Sequence, residues 1–298
     1  MNKNYTEVAI VGAGPSGMAA ALQLRRYGIE FLFFEKGDDK GLLKNAWRVE
    51  NYLGFTGGKS GLGLLRNFRK HLHQYGVKPV IEEVSTINYE SGTSLFVIRT
   101  NKSIYYAKFL VIASGTKPSG DSLLKNIPES LRNNIFYEVF QLLKMHDKTI
   151  AIIGAGDAAF DFALNLAERN EVFVINRNSD VKALPILVNL VMQHQNVIYK
   201  ENYSLQKVSS GDEKALLLTF TCNQSIFELQ ADYLIAAIGR TPQKDFYSRN
   251  LLKNEKKLMS MGVLYLVGDV QGQVYRQVSI ATANGIKAAM QVYERLKR

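Results

Sequence analysis

Two glycine runs carry the first chemical hint in this chain. Gly12-Ala-Gly14-Pro15-Ser16-Gly17 follows the apolar run Glu7–Val11, and Gly154-Ala-Gly156-Asp157-Ala158-Ala159 follows Thr149–Ile153. Each opens an amphipathic stretch, Met18–Tyr27 in the first case and Phe160–Asn170 in the second. Strand, tight glycine turn and helix in that order form the context a dinucleotide needs. The first glycine makes the turn, the second lets backbone amides approach a pyrophosphate, and the third lets helix pack on strand. The helix start then offers unpaired N–H donors and partial positive charge to the phosphates. The competing reading is a helix–strand contact that only needs small residues.

The residues after each unit separate the two sites. Glu35 ends the buried run Glu30–Glu35, about 20 residues past the first glycines, where a carboxylate accepts from adenosine ribose hydroxyls. It also repels a 2′-phosphate, so the first site suits FAD or NAD. The equivalent strand of the second unit, Glu171–Asn176, continues into Arg177 and Asn178 with no acid. Arg177 is suited to a 2′-phosphate, with Lys182 close by in sequence. These features favour FAD in the first site and NADPH in the second. NADH stays open, because one Arg and one Lys make a thin cationic cluster and either side chain also reads as a solvated surface residue. A third feature is Gly268-Asp269, followed by Tyr275-Arg276-Gln277 just before a final helix beginning at Val278. A helix N-terminus aimed at an electron-rich ring would favour reduced flavin. A plain strand-end turn is the alternative.

These side chains need elements to hold them. A helix is expected over 61–75, with Leu64, Leu65, Phe68 and Leu72 on its core face, and short β-rich runs over 77–113. Gly/Pro breaks at 114–120 and 239–242 read as hinges, at Lys117–Gly120 and Arg240–Gln243. Further strands are expected at 215–220, 226–230, 233–238 and 262–267. The fold class is α/β, with two Rossmann-like, three-layer dinucleotide-binding domains, the second inserted in the first. Residues 1–116 and 244–298 make the FAD domain, and 117–243 the NAD(P)H domain.

Composition narrows the partners. The chain has 298 residues, 37 Lys+Arg against 27 Asp+Glu, and a formal net charge of +10. That charge fits an anionic nucleotide, an acidic protein or simply a solvated surface. No zinc-finger spacing, aromatic RNA-binding motif or arginine-rich arm supports nucleic acid. The single cysteine, Cys222, excludes an intrachain disulfide, a CxxC pair and a cysteine zinc site, and points to a reducing, cytoplasmic setting. His71 and His73 fall on different helix faces and read as exposed polar residues. No apolar run reaches the ~20 residues of a membrane span. No residue is marked as a catalytic acid, base or metal ligand.

Taken together, Gly12–Gly17, Val49-Glu-Asn51-Tyr52-Leu-Gly54, Ala113-Ser-Gly115-Thr116, Gly154–Asp157, Ala237-Ile238-Gly239-Arg240, Gly268-Asp269 and Tyr275-Arg276-Gln277 resemble the low-molecular-weight thioredoxin reductases and related flavoproteins, nearly end to end. The resemblance implies that Glu35 holds the FAD ribose and Asp269 the ribitol. Gln277 and the following helix would meet the flavin pyrimidine edge, with Asn51 and Tyr52 near the isoalloxazine. Gly154, Gly156, Asp157 and Ala158 would cradle the NADPH pyrophosphate. Cofactor contacts are also implied for Pro15, Ser16, Lys36, Ala113, Gly115, Ile238, Gly239, Arg276 and Val278. A homodimer is expected on the same ground.

Two departures matter. The family's 2′-phosphate site is His-Arg-Arg and a further Arg, where this chain has Asn176, Arg177, Asn178 and Lys182. The family's redox CxxC has no counterpart in the corresponding stretch, Phe136–Lys144. A thiol–disulfide relay needs two sulfurs, so thioredoxin reduction by that route is not expected. Ser16 stands where the related bacillithiol disulfide reductases carry a cysteine. The relatives that work without a dithiol are the thioredoxin-reductase-like ferredoxin/flavodoxin–NADP reductases, and +10 suits their acidic partners. A small acceptor (quinone, flavin or disulfide) is the alternative, and a non-catalytic redox- or nucleotide-sensing flavoprotein the third reading.

Overall fold

The computed structural model describes residues 4–37, 41–119, 127–223, 225–272 and 274–298. Gly120, the end of the first expected hinge, lies outside them. The chain divides into two compact units. One is Met1–Lys44, Glu50–Lys117 and Thr241–Arg298; the other is Asn45–Val49 and Pro118–Arg240.

The first unit is built on β1 (Tyr5–Val11), β2 (Phe31–Glu35), β3 (Val80–Ile81), β4 (Val84–Glu90), β5 (Leu95–Thr100), β6 (Ile104–Ile112) and β17 (Leu264–Leu266). The sheet order is β3-β2-β1-β6-β5-β4, with β17 paired to β6. The β1–β2, β1–β6, β2–β3 and β17–β6 pairs are parallel, and β4–β5–β6 is antiparallel. β1 is buried along nearly its whole length, as a central parallel strand must be. α1 (Pro15–Arg26) starts with proline at its first position, where the missing N–H costs nothing. It stops at Gly28, whose φ of +69° suits a residue with no Cβ. α2 (Gly61–Gln74) is capped by Ser60, whose hydroxyl accepts from Gly63 N at 3.2 Å. Leu64, Leu65 and Leu72 are buried and Phe68 half-buried, the expected stripe.

The second unit repeats the plan. Its strands are β8 (Ile135–Phe136), β9 (Thr149–Ile153), β10 (Glu171–Ile175), β11 (Val197–Lys200) and β15 (Tyr233–Ala236), in the order β11-β10-β9-β15-β8. Its named pairs are all parallel. α3 (Asp157–Ala167) follows β9, and α4 (Pro185–Gln193) precedes β11. β12 (Ser204–Ser210), β13 (Leu216–Cys222) and β14 (Ser225–Ala231) form an antiparallel sheet of their own. β7 (Thr116–Pro118) and β16 (Arg240–Pro242), which span the two points where the chain passes from one unit to the other, make a two-stranded sheet.

Two helices escape the sequence reading. α4 is apolar on most faces, so no 3.6-residue stripe stands out. α5 (Arg249–Ser260) is mostly polar and shows only Leu251 and Leu258 as buried positions, seven apart. Ser248, whose side chain accepts from Leu251 N at 3.0 Å, is the start signal that marks it. The last helix, α6 (Val278–Leu296), matches its expected span.

Asn45–Val49, which sequence reading places in the first domain, is held within the second unit by hydrogen bonds. Asn45 donates to Glu138 at 3.2 Å, and accepts from Phe140 N at 3.1 Å and from Asn165 at 3.0 Å. The Trp47 ring packs on the core that holds Phe160, Phe162 and Val191.

Candidate dinucleotide sites

Both glycine loops have one geometry. Gly12 has φ +105°, and a Cβ there would fall 2.5 Å from the Ala113 carbonyl oxygen, at the end of β6. Gly154 has φ +134°, and its Cβ would fall 2.5 Å from the Ala237 carbonyl oxygen, just past β15. Any side chain at either position meets backbone that cannot move without breaking a sheet. Gly12 N donates to Phe34 O at 2.9 Å and Gly154 N to Ile175 O at 3.0 Å, so each loop is tied to the neighbouring strand. A Cβ at Gly17 would meet Gly12 O at 1.9 Å, which is the close helix–strand approach expected of that position. Gly14 and Gly156 face open space, which leaves room for a phosphate group. Each is the N-cap of its helix with no side-chain cap, so the first-turn amides of α1 and α3 remain available to an anion. These cradles fit a dinucleotide pyrophosphate in both units.

In the first unit Glu35 accepts from Ala13 N at 2.9 Å and from Lys36 N at 2.8 Å, one bond on each oxygen. The carboxylate is thus fixed at the loop with lone pairs left for ribose hydroxyls. The Lys36 side chain is exposed. Pro15 is the first residue of α1. Ser16 is buried at 5% exposure, under α6, where a Cβ at Gly285 would fall 2.0 Å from its carbonyl oxygen. Asn51 donates to Gln277 Oε1 at 2.9 Å, which brings two expected flavin residues from far apart in sequence to one place. Tyr52 stacks at 6.0 Å from Phe55 and edges onto Phe68 at 5.5 Å. Ala113 N donates to Val11 O, and Gly115 (φ +68°) accepts from Gln243 N. Gly268 (φ +72°) and Asp269 open a short 3₁₀ turn, Gly268–Gln271. Gln277 is the N-cap of α6, preceded by exposed Arg276 and followed by half-buried Val278.

In the second unit a loop is stitched to the glycine turn. Lys182 N donates to Ala155 O at 2.9 Å, and Leu184 N to Asp157 Oδ1 at 2.8 Å. Ala158 is exposed beside them. Ile238 is half-buried and Gly239 has φ +113°. Arg177 and Lys182 are exposed. Asn176 is not aimed outward with them. It is 4% exposed, and its amide donates to Asp180 O at 3.0 Å and to the Tyr199 hydroxyl at 3.1 Å. Its role is to shape the 176–184 loop, since a buried amide must spend its donors internally.

The stretch Phe136–Lys144 contains no sulfur. It packs Val139 and Leu142 into the core at 0% and 1% exposure. Cys222 ends β13, half-buried and unbonded. Among the described residues no cluster of metal-binding side chains occurs, and no helix is long and apolar enough to cross a membrane.

Sequence reading did not single out Asp161, on α3. It accepts from Trp47 N at 2.9 Å and also from Arg48 N. Burial pushes its carboxyl up to about 6; the two backbone donors pull it down, and nearby Asp157 adds to the rise. An acid one turn into a helix, facing its apolar core, was the available signal.

Two units, each with a parallel βαβ core and a glycine cradle at a helix start, define a two-dinucleotide oxidoreductase fold. Known proteins agree. The family model described as pyridine nucleotide-disulphide oxidoreductase matches residues 6–285, and the chain belongs to that family. It is 27% identical over 304 residues to a thioredoxin reductase of Borreliella burgdorferi, covering 98% of this chain and 92% of that protein. The solved Lactococcus lactis thioredoxin reductase matches with a TM-score of 0.83 at 21% identity, covering 97% of this chain and 98% of that one. Bacillithiol disulfide reductase of Staphylococcus aureus matches at 0.74 and 19%, covering 98% and 99%. These last two likenesses show the fold. The thioredoxin reductase family uses FAD and NADPH.

Proposed function

We propose that this protein is a FAD-dependent NAD(P)H oxidoreductase that passes electrons to an acidic carrier protein, a ferredoxin or flavodoxin. FAD belongs in residues 1–116 and 244–298, and NADPH in 117–243. The observation that carries the reading is the pair of intact glycine cradles in a chain with only one cysteine. Both dinucleotides have a seat, and the dithiol that would send electrons to thioredoxin is missing. The net charge of +10 supports an acidic partner through electrostatic steering. A homodimer is part of the same reading.

Bound FAD would supply the chemistry of hydride acceptance from a nicotinamide and of electron release to the acceptor. The residues of this chain bind and orient. The first-turn amides of α1 would hold the FAD pyrophosphate, and Glu35, fixed by the Ala13 amide, the adenosine ribose. Gln277 and the N-terminus of α6 would place partial positive charge at the pyrimidine edge. Asp269 would hold the ribitol. Gly156 and the first turn of α3 would seat the second pyrophosphate, with Arg177 and Lys182 at the 2′-phosphate.

Anaerobic stopped-flow mixing with NADPH and then NADH tests the two sites: flavin absorbance should bleach fast, and faster with NADPH. Ferredoxin or flavodoxin reduction should then slow steeply between roughly 0.05 and 0.5 M salt. A salt-insensitive carrier rate would refute the acidic partner. Saturable turnover with a quinone and no carrier would give the small-acceptor reading instead. No bleaching with either nucleotide would leave a sensing role.

A further inference from the structure

The first unit has a cavity that no dinucleotide role explains. It lies between β17 with the end of α5 on one side and the length of α6 on the other, with a volume of about 560 Å³. Small-molecule sites commonly hold ~300–1,000 Å³. Its floor is apolar: Leu264, Leu266, Val267 and Ala288 are all buried. The α6 residues that line it, from Asn284 through Lys287, Ala288 and Gln291 to Arg295, recur at helical spacing and so form one face, and Arg298, past the end of α6, lines it too.

The charge around this cavity is unbalanced. Lys287, Arg295 and Arg298 line it against one carboxylate side chain, Glu294. Among the described residues none of the three cations makes an ion pair. Arg295 lies against Gly262. Its Nε and Nη2 are 2.9 Å from where a Cβ at Gly262 would be, and Gly262 is a glycine at φ +70°. A side chain there would crowd the guanidinium, whose planar fork suits carboxylate or phosphate oxygens. The hydroxyl of Tyr265 donates to Gly262 O at 2.7 Å and holds the same corner. Asn284 accepts from Gln271 Nε2 at 2.8 Å through Oδ1, which leaves its amide hydrogens as donors.

We propose that this groove binds a small organic anion with two or more negative charges, phosphate or carboxylate, on Lys287, Arg295 and Arg298. The location gives binding a consequence. Gln271 donates to Leu266 O at 2.7 Å as well as to Asn284, so it ties β17, α6 and the Gly268–Gln271 turn together. That turn carries Asp269. An anion in the groove therefore acts one turn away from the expected ribitol contact, as an effector. The proposal does not depend on which acceptor takes the electrons.

The test is calorimetric titration of the FAD-loaded protein, with NADP⁺ saturating so that both dinucleotide cradles are occupied. Inorganic pyrophosphate and citrate are the probes, one for each anion source. One saturable site per chain is expected with at least one probe. Lys287→Ala/Arg295→Ala should weaken it at least tenfold, while Lys253→Ala/Lys256→Ala on exposed α5 should leave it unchanged. Both pairs are on the surface, and matching circular dichroism and melting curves establish that they fold. Absence of saturable binding to either probe overturns the proposal. So does equal weakening by the two double variants, which would reduce the effect to net charge.

Discussion

Asp161→Asn should remove a pH dependence that the wild-type protein carries in its second unit. The Asp161 carboxyl rises from 3.8 to about 6 in the folded protein, mainly through burial. A group with a raised folded pKa contributes stability that is fully present below its unfolded value. That stability is lost as pH rises through the folded value. Here the window runs from about pH 4 to about pH 6, and a shift of roughly 2 units corresponds to about 3 kcal/mol. Between pH 4.5 and pH 8 about 2 kcal/mol of it is sampled, because at pH 4.5 the unfolded carboxyl is already mostly ionised. Asparagine keeps the size and one acceptor oxygen for the Trp47 amide, now 2.9 Å from Asp161 Oδ2. Any lost hydrogen bond is a constant offset, so the pH-dependent part of the difference isolates the charge. Trp47 is the chain's one tryptophan and sits in the segment that Asp161 holds, so its fluorescence reports the event directly. Urea titrations of both proteins at pH 4.5 and 8 give the measurement. The variant should gain about 2 kcal/mol on the wild type as pH rises across that range. A difference that stays flat, or runs the other way, refutes the burial argument.

Two further outcomes follow from the cradles. Gly12→Ala places a Cβ 2.5 Å from the Ala113 carbonyl at positive φ, so it should purify largely without flavin and lose about 2–4 kcal/mol of stability; a yellow, wild-type-like melt would count against the cradle. Arg177→Ala should raise the KM for NADPH by about ten- to a hundredfold through loss of a charge-assisted pair, and leave NADH unchanged; steady-state kinetics with both nucleotides separate specificity from general damage.

The two glycine motifs, the acid at Glu35 and the single cysteine were legible in the sequence because each is local. A tight turn needs glycine at a fixed offset, a strand-end carboxylate needs only its spacing, and a missing sulfur needs no fold. Periodicity placed α2 and α6 because one face of each is apolar at helical spacing. α4 lacked that contrast, and α5 buries only two leucines along its length. The inward turn of Asn176 was hidden too, since the sequence aligns it with cations while its partners, Asp180 and Tyr199, are set by loop and strand packing. Asn51 and Gln277 meet 226 residues apart, and only the folded first unit joins them. The hold of Asp161 on residues 45–49 and the cationic groove along α6 are likewise tertiary. Desolvation, and the charge balance of a cavity, depend on which elements pack together, and no spacing along one chain encodes either. Sequence determined which residues have the chemistry to bind two dinucleotides; packing decided which of them face a ligand and which hold the fold.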